Sequence, residues 1–395
     1  MSLRSPRRTA ARTATAALLA ALAAACAGLP APGRPVPGPS PVPAEGPGAA
    51  ARPFTLVATG DVLPHDSIIR QGGIDAHGDG YDFRPMLAAV RPVVSGADLA
   101  ICHMETVYGE VGGPFAGYPS FTSPPQIAAA LAATGYDSCS TASNHTLDDG
   151  AEGIRRTLGH LDEAGVRHAG SARTAREAAT PTLLDAGGTR VAHLAYTYGT
   201  NDIPLPEGRP WAVNLIGEDQ ITGDARAARA AGAAIVVVSL HWGTEWQTAP
   251  DAQQLTLGRA LTASASGGRP DIDLILGTHA HVPQAYEKVN GTWIVYGMGD
   301  QIAGRMVDHS GAADPRGNEG SIGRFTFTPP ARPGGRWRIT RAEYLPQWFD
   351  TGGNRVVDLN AAVEAGDTGL TVVRDRISAA VLSRGAAADG LRMGR

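Results

Sequence analysis

Ile272-Asp273-Leu274-Ile275-Leu276-Gly277-Thr278-His279-Ala280-His281 is an apolar run that gives way, past a glycine, to two histidines one residue apart. A short apolar run bounded by such a break reads as a buried strand. In open α/β sheets ligands gather beyond the carboxyl ends of strands, which is where this stretch places its imidazoles. Side chains alternate along a strand with period two, so on a continuing strand both rings share one face.

The same arrangement recurs upstream. Residues 54–59 run into Gly60-Asp61, and residues 98–102 stop just before Glu105. Residues 136–141 lead into Ala142-Ser143-Asn144-His145, and residues 234–240 into His241-Trp242-Gly243. Between them lie helical segments, at 125–134, 151–165, 219–231 and 251–264. In the second of these, Ile154, Leu158 and Leu161 form one apolar stripe. With a further strand at 191–196, this is the βαβ rhythm of an α/β protein. From Thr292 onward the pattern changes. Strands at 292–296, 323–327 and 337–344 are joined by turns, with 329–335 as a hairpin loop, which predicts an antiparallel portion before a last helix at 370–383. The sequence predicts one domain over 53–395.

Glycine (50 residues) and proline (29) make up about a fifth of the chain, so loops are numerous. The formal net charge is −4, and without Arg4, Arg7, Arg8 and Arg12 it falls to −8. That balance excludes a basic nucleic-acid-binding surface as the main feature, and no nucleic-acid partner is expected.

Those four arginines precede the uncharged run Thr13 to Ala25, too short for a bilayer core that takes about 20 residues to cross. Residues 1–25 read as a signal peptide. Leu22-Ala23-Ala24-Ala25-Cys26 resembles the lipobox of bacterial lipoproteins, which makes Cys26 the expected lipidation site, with plain cleavage as the alternative. Residues 26–52, rich in Pro, Ala and Gly, are too poor in large apolar side chains to fold and are expected to form a tether. The expected location is therefore extracytoplasmic, on the cell membrane through a lipid anchor, or else secreted. Cys102 and Cys139 lie in apolar runs. Buried free thiols are the plainer expectation, with a disulfide as the alternative that an exported chain permits.

Carboxylates, an amide and imidazoles at five strand ends form a mixed O/N donor set suited to zinc, manganese or iron. Any one of these residues alone would be an ordinary cap or a satisfied core residue, and only the conjunction argues for a metal centre. The chain resembles the CapA family of capsule and poly-γ-glutamate biosynthesis proteins, within the calcineurin-like metallophosphoesterase superfamily. The resemblance rests on Gly60-Asp61-Val62-Leu63-Pro64-His65-Asp66, Met104-Glu105, Ser143 to Gly150, His241 to Glu245, Gly277 to Gln284 and Tyr296 to Asp300. It implies a four-layer sandwich, two central β-sheets flanked by helices, with two divalent metal ions in its loops. By resemblance Asp61 and His281 would bind the first ion, Glu105 would bridge, and Asn144, His241 and His279 would bind the second. His145 would act as acid beside the leaving group.

His65 is a further possible ligand. Asp148 would orient His145 or serve only as a helix-start turn, and Glu245 is expected to hold an imidazole, with substrate contact as the alternative. Two positions depart from the family pattern, His103 in place of Asn and Asp300 in place of another Asn. The plainer expectation for both is a hydrogen-bonding role outside the ligand set, with direct ligation as the alternative. His103, two residues before Glu105, should share its face of the strand.

The resemblance implies a role in capsule or poly-γ-glutamate biosynthesis, with a capsular polymer and a membrane polymer-synthesis complex as partners and a metal-dependent hydrolase centre. The alternatives are a non-catalytic assembly component and an extracytoplasmic metal-dependent phosphodiesterase or phosphatase.

Overall fold

The structure is a computed structural model and describes residues 51–332 and 335–395. The expected signal peptide, Cys26 and nearly all of the tether lie outside the described residues. The first half alternates strands and helices: β1 (Phe54–Leu63), α1 (Asp66–Asp75), α2 (Arg91–Ser95), β2 (Leu99–Met104), α3 (Gln126–Thr134), β3 (Ser138–Ser140), α4 (Gly150–Glu163), β4 (Arg167–Ala169) and α5 (Ala175–Ala178). There follow β5 (Thr182–Ala186), β6 (Thr189–Thr197), α6 (Glu218–Ala230), β7 (Ile235–His241), α7 (Ala252–Ala263) and the short pair β8 (Ala265–Ser266) and β9 (Arg269–Pro270). The rest is mostly strand: β10 (Leu274–Thr278), β11 (Tyr286–Val289), β12 (Thr292–Val295), β13 (Asp300–Ala303), β14 (Glu319–Thr328), β15 (Arg338–Asp350) and β16 (Arg355–Asp358). The chain closes with α8 (Leu359–Glu364), α9 (Thr371–Leu382) and β17 (Leu391–Met393).

Two large sheets result. The first runs β16-β15-β14-β1-β2-β3-β4, with β13 on β1 and β17 on β15; the second runs β11-β12-β10-β7-β6-β5. β1 to β4 are parallel, as are β12, β10, β7 and β6. The antiparallel portion expected from the sequence is β14, β15 and β16.

Period-two alternation explains the layers. In β1, Leu56 and Ala58 point between the sheets, where they meet Val237, Leu274 and Leu276 of the second sheet, while Val57 points outward toward Ile127, Leu131 and Leu161 of the helices. In the second sheet Val236, Val238 and Ile275 face outward against Ile221, Ala225 and Leu261 of α6 and α7. The order is helix, sheet, sheet, helix, an α/β sandwich of four layers as expected. The stripe on α4 buries Ile154, Leu158 and Leu161, and α7 starts with a reciprocal capping box between Asp251 and Gln254.

One sequence expectation is corrected. Cys102 and Cys139 are not free thiols but form a disulfide, their Cα atoms 4.4 Å apart. The two residues are direct partners across the parallel ladder of β2 and β3, a register that sequence alone does not fix.

Candidate metal centre

Every parallel strand that carries a candidate donor ends on the same edge of the sandwich. At Gly60 an added Cβ would lie 1.7 Å from the Gly299 carbonyl oxygen, so only glycine lets the chain at 299 close against β1. That approach pairs Asp61 with Asp300, and across β1's other side Asp61 pairs with His103. Glu105 follows directly after β2, on the same side as His103. β7 ends on His241, and β10 ends at Thr278, one residue short of His279.

The two histidines of the opening stretch are not on a strand. His279 and His281 have φ of +92° and +55°, and the backbone N–H of Trp246 donates to Ala280 O between them (2.9 Å). The period-two argument therefore fails for this pair. A kinked loop, not the pleat, turns both rings toward the cluster.

Distances show what meets. His241 Nε2 lies 2.8 Å from Asn144 Oδ1 and 3.7 Å from Glu105 Oε1. His281 Nε2 is 3.9 Å from the same Glu105 oxygen, and its Nδ1 donates to Asp300 Oδ1 (2.9 Å). His103 Nε2 is 3.5 Å and His241 Nδ1 is 3.9 Å from Asp61 Oδ1, while His279 N–H donates to Asp61 Oδ2 (3.2 Å). Three groups have mutual donor spacing fit for an ion: Asp61 with His103 and His241, Asp61 with Glu105 and His281, and Glu245 with His279 and His281.

The chemistry of these donors fits a divalent cation. Asp61 Oδ1, His103 Nε2, both Glu105 oxygens, His279 Nδ1 and Asp300 Oδ2 are all buried with no hydrogen-bond partner. Leaving six such atoms unpaired in one place is costly unless something else binds them. Charge says the same. Burial, then Asp300, pushes Asp61 up to about 8, and burial with Asp61 raises Glu105 well above the carboxylate range. Burial alone would lower His281, but the Asp300 and Glu105 carboxylates outweigh it and hold that imidazole well above its ordinary value. Burial pushes His103 down to about 3, so its ring is neutral.

The remaining candidates take distinct places. His145 Nδ1 is 2.7 Å from Asp148 Oδ2, the same oxygen that accepts the Phe121 N–H (2.7 Å), and Phe121 meets the His145 ring edge-on at 4.8 Å. Asp148 thus sits against His145 and is more than a turn residue. His65 Nδ1 lies 3.0 Å from Leu63 O and 3.1 Å from Gly304 N, and His65 belongs to none of the three donor groups. Glu245 is in reach of two imidazoles and 3.8 Å from exposed His309. Asp300 serves as hydrogen-bond partner to His281 while keeping one oxygen free. His103 makes one hydrogen bond, between Nδ1 and Ser140 Oγ (2.5 Å), while its Nε2 has no hydrogen-bond partner.

Sequence reasoning missed Ser140, which holds His103, and Asn201, whose Oδ1 accepts from Asn144 Nδ2 (3.1 Å). Ser138 and Ser140, two apart in a short buried strand, were the available signal. Their shared face aims one hydroxyl at His193 and the other at His103. A cleft of about 680 Å³ opens elsewhere, beside α5, where Arg173 is already paired with Glu177 and Asp162.

Residues 55–305 match the family described as bacterial capsule synthesis protein PGA_cap. Among individual proteins, the chain is 29% identical over 195 residues to the PGA biosynthesis protein CapA of Bacillus subtilis (strain 168), covering 48% of this chain and 49% of that one. It is 27% identical over 178 residues to the capsule biosynthesis protein CapA of Bacillus anthracis, covering 44% and 41%. The chain spans half or less of the length of the curated relatives it matches. Among solved structures, a putative 5'-nucleotidase from Staphylococcus aureus aligns with a TM-score of 0.46 at 14% identity over 74% of this chain and 54% of that one. The calcineurin-like phosphoesterase YfkN from Bacillus subtilis aligns at 0.41 and 14% identity, over 82% and 99%. Likenesses this distant lend nothing to the assignment, which rests on the matched sequence. With more than half of its residues inside that match, the chain belongs to the PGA_cap family of bacterial capsule synthesis proteins.

Proposed function

We propose that this is an exported, lipid-anchored protein of capsule or poly-γ-glutamate biosynthesis whose buried centre holds two divalent ions and hydrolyses a bond in the polymer or its precursor. One observation carries the reading: six unpartnered carboxylate and imidazole atoms buried at one edge of the sandwich of a capsule-synthesis family member. Asp61, Glu105 and His281 would hold one ion, and Glu105, Asn144, His241 and His279 the other. Two bound ions supply Lewis acidity for a hydrolytic displacement at near-neutral pH.

The chain's own residues do the rest. Asp148 holds His145 by Nδ1, leaving Nε2 to hand a proton to the departing nitrogen or oxygen. In cleavage of a γ-glutamyl amide, water supplies oxygen to the new carboxylate and the departing amine needs that proton. Phe121 packs on His145 and keeps it out of bulk water.

A polyanion approaching an acidic chain needs local positive charge. Arg316 does not supply it freely, because Asp314 accepts from its Nε through both carboxylate oxygens (3.0 Å each). Arg305 is exposed and lies one residue past Gly304, whose N–H contacts His65 Nδ1. The leader with its four arginines and Cys26, followed by the proline-rich tether, supports placement on the outer face of the cell membrane beside the polymer-synthesis machinery.

The test is elemental analysis of the purified protein beside Asp61→Ala and His279→Ala, followed by incubation with γ-linked glutamate oligomers with and without metal. About two ions in the wild type, fewer in the variants and metal-dependent cleavage of the oligomers are expected. No bound metal overturns the centre. Metal without oligomer binding or turnover overturns the polymer role. Hydrolysis of bis-p-nitrophenyl phosphate that is lost in both variants would then favour a phosphodiesterase, and its absence a non-catalytic assembly component.

A further inference from the structure

His103 occupies the position where the resembled family carries asparagine, and its surroundings are unlike those of a bystander. The residue is 2% exposed and stands directly opposite Asp61 across β1 and β2. Its ring lies against that of His241, centroids 4.7 Å apart and planes 22° from parallel. Its Nδ1 is taken by Ser140 Oγ at 2.5 Å. Its Nε2 faces Asp61 Oδ1 at 3.5 Å, yet neither atom has a hydrogen-bond partner.

That gap is informative. A direct N–H···O bond closes to about 2.9 Å. Two ligands of one tetrahedral ion, with bonds of about 2.0–2.1 Å, stand roughly 3.3–3.4 Å apart. The Asp61–His103 separation lies close to the second case, and Asp61, His103 and His241 have donor atoms spaced closely enough to surround an ion. The ring orientation is set from behind. In the tautomer that donates Nδ1–H to Ser140 Oγ, the Nε2 lone pair is left pointing toward Asp61. Ser140 is opposite His103 in the ladder of β2 and β3, and the disulfide joins the residue pair just before it, Cys102 with Cys139. A slip of β3 that would withdraw the serine is thereby blocked.

We propose that His103 is a metal ligand, joining Asp61 through Nε2 and giving the centre a fourth imidazole beside His241, His279 and His281, and with it a preference for zinc or ferrous iron over magnesium. Imidazole favours those metals, whereas magnesium favours oxygen-rich shells. The inference rests on the metal-centre reading above and adds a ligand to it.

The experiment uses the full-length protein, stripped with chelator and titrated with zinc and with magnesium, beside His103→Asn and Ser140→Ala. Zinc affinity should fall roughly 10–100-fold or more in His103→Asn and less in Ser140→Ala, with the cobalt(II) visible spectrum changed in the first. Magnesium binding should be weaker than zinc binding in the wild type and should change little in either variant. On the wild type itself, 15N-histidine NMR should show the His103 Nε2 resonance moving on zinc loading while Nδ1 stays protonated. This reading decides the matter if His103→Asn does not fold. A His103→Asn protein with wild-type zinc affinity and cobalt spectrum, or a His103 Nε2 resonance indifferent to zinc, overturns the proposal and leaves the metal centre standing. A wild type that binds no metal removes both.

Discussion

Acid should unfold this protein partly through a histidine outside the candidate ligand set. His193, on β6, is fully buried between the sheets, with Nδ1 2.8 Å from Ser138 Oγ of the first sheet and Nε2 3.0 Å from Ser239 Oγ of the second. Burial pushes its pKa from 6.5 down to about 3. Because the folded value lies below the unfolded one, the unfolded chain takes up the proton first. The contribution is present above about pH 6.5 and is lost as pH falls toward 3. A shift of about 3.5 units corresponds to about 5 kcal/mol in all, or about 1.4 kcal/mol per pH unit within the window.

His193→Gln removes the titration and keeps a polar side chain between the serines. At pH 8 it should cost about 1–3 kcal/mol through poorer hydrogen bonds. As pH falls from 6.5 to 4 the wild type should lose its advantage and become the less stable protein, since about 3.4 kcal/mol of linkage disappears. Urea unfolding followed by far-UV circular dichroism at pH 8, 6, 5 and 4, with chelator throughout, measures the gap. The other histidines titrate in both proteins, so their contributions largely cancel, His103 being the one that also feels the charge of His193. A gap constant within about 0.5 kcal/mol across that range would refute the reasoning.

Three further outcomes are expected. Replacing Cys102 and Cys139 together by alanine should cost about 4 kcal/mol, since the bridge closes a loop of sequence separation 37, and the urea midpoint of the variant should ignore dithiothreitol. An unchanged midpoint in the double variant would mean the bond does not form. Asp300→Asn removes the carboxylate that holds His281 Nδ1, so the His281 pKa should fall, seen by NMR titration of the metal-free protein, and metal affinity should drop roughly 10–100-fold. A His281 titration that stays put would contradict the assigned cause. Gly60→Ala drives a Cβ into the Gly299 carbonyl, and should cost at least about 3 kcal/mol while weakening metal binding through the lost pairing of Asp61 with Asp300. Wild-type metal binding in that variant would show that the close approach is not needed.

Much of the fold was legible because the buried strands are nearly continuous apolar runs that stop at glycine or a polar residue. β7 and β10 lie within a few residues of their expected positions, and so do α3, α4 and α7. The short strands β4 and β13 were not legible, since three or four residues carry no period and owe their conformation to neighbours already in place. Candidate donors were legible as polar groups at strand ends. What lay beyond reach was pairwise geometry: the opposition of Cys102 to Cys139, the serine behind His103, and the left-handed turns at His279 and His281. Each depends on register or on a loop path, and neither leaves a periodic trace in one sequence.

The donor atoms are divided between the layers. The first sheet and the segments continuing it bring the carboxylates Asp61, Glu105 and Asp300, and the second brings the imidazoles His241, His279 and His281. Neither half holds a full set, so an unfolded or half-folded chain has no site with which to choose among ions. Selection waits until the sandwich closes. If the proposed export takes place with the chain unfolded, the site forms only outside the cell, and the supply there, not the cytoplasmic pool, sets which metal it meets.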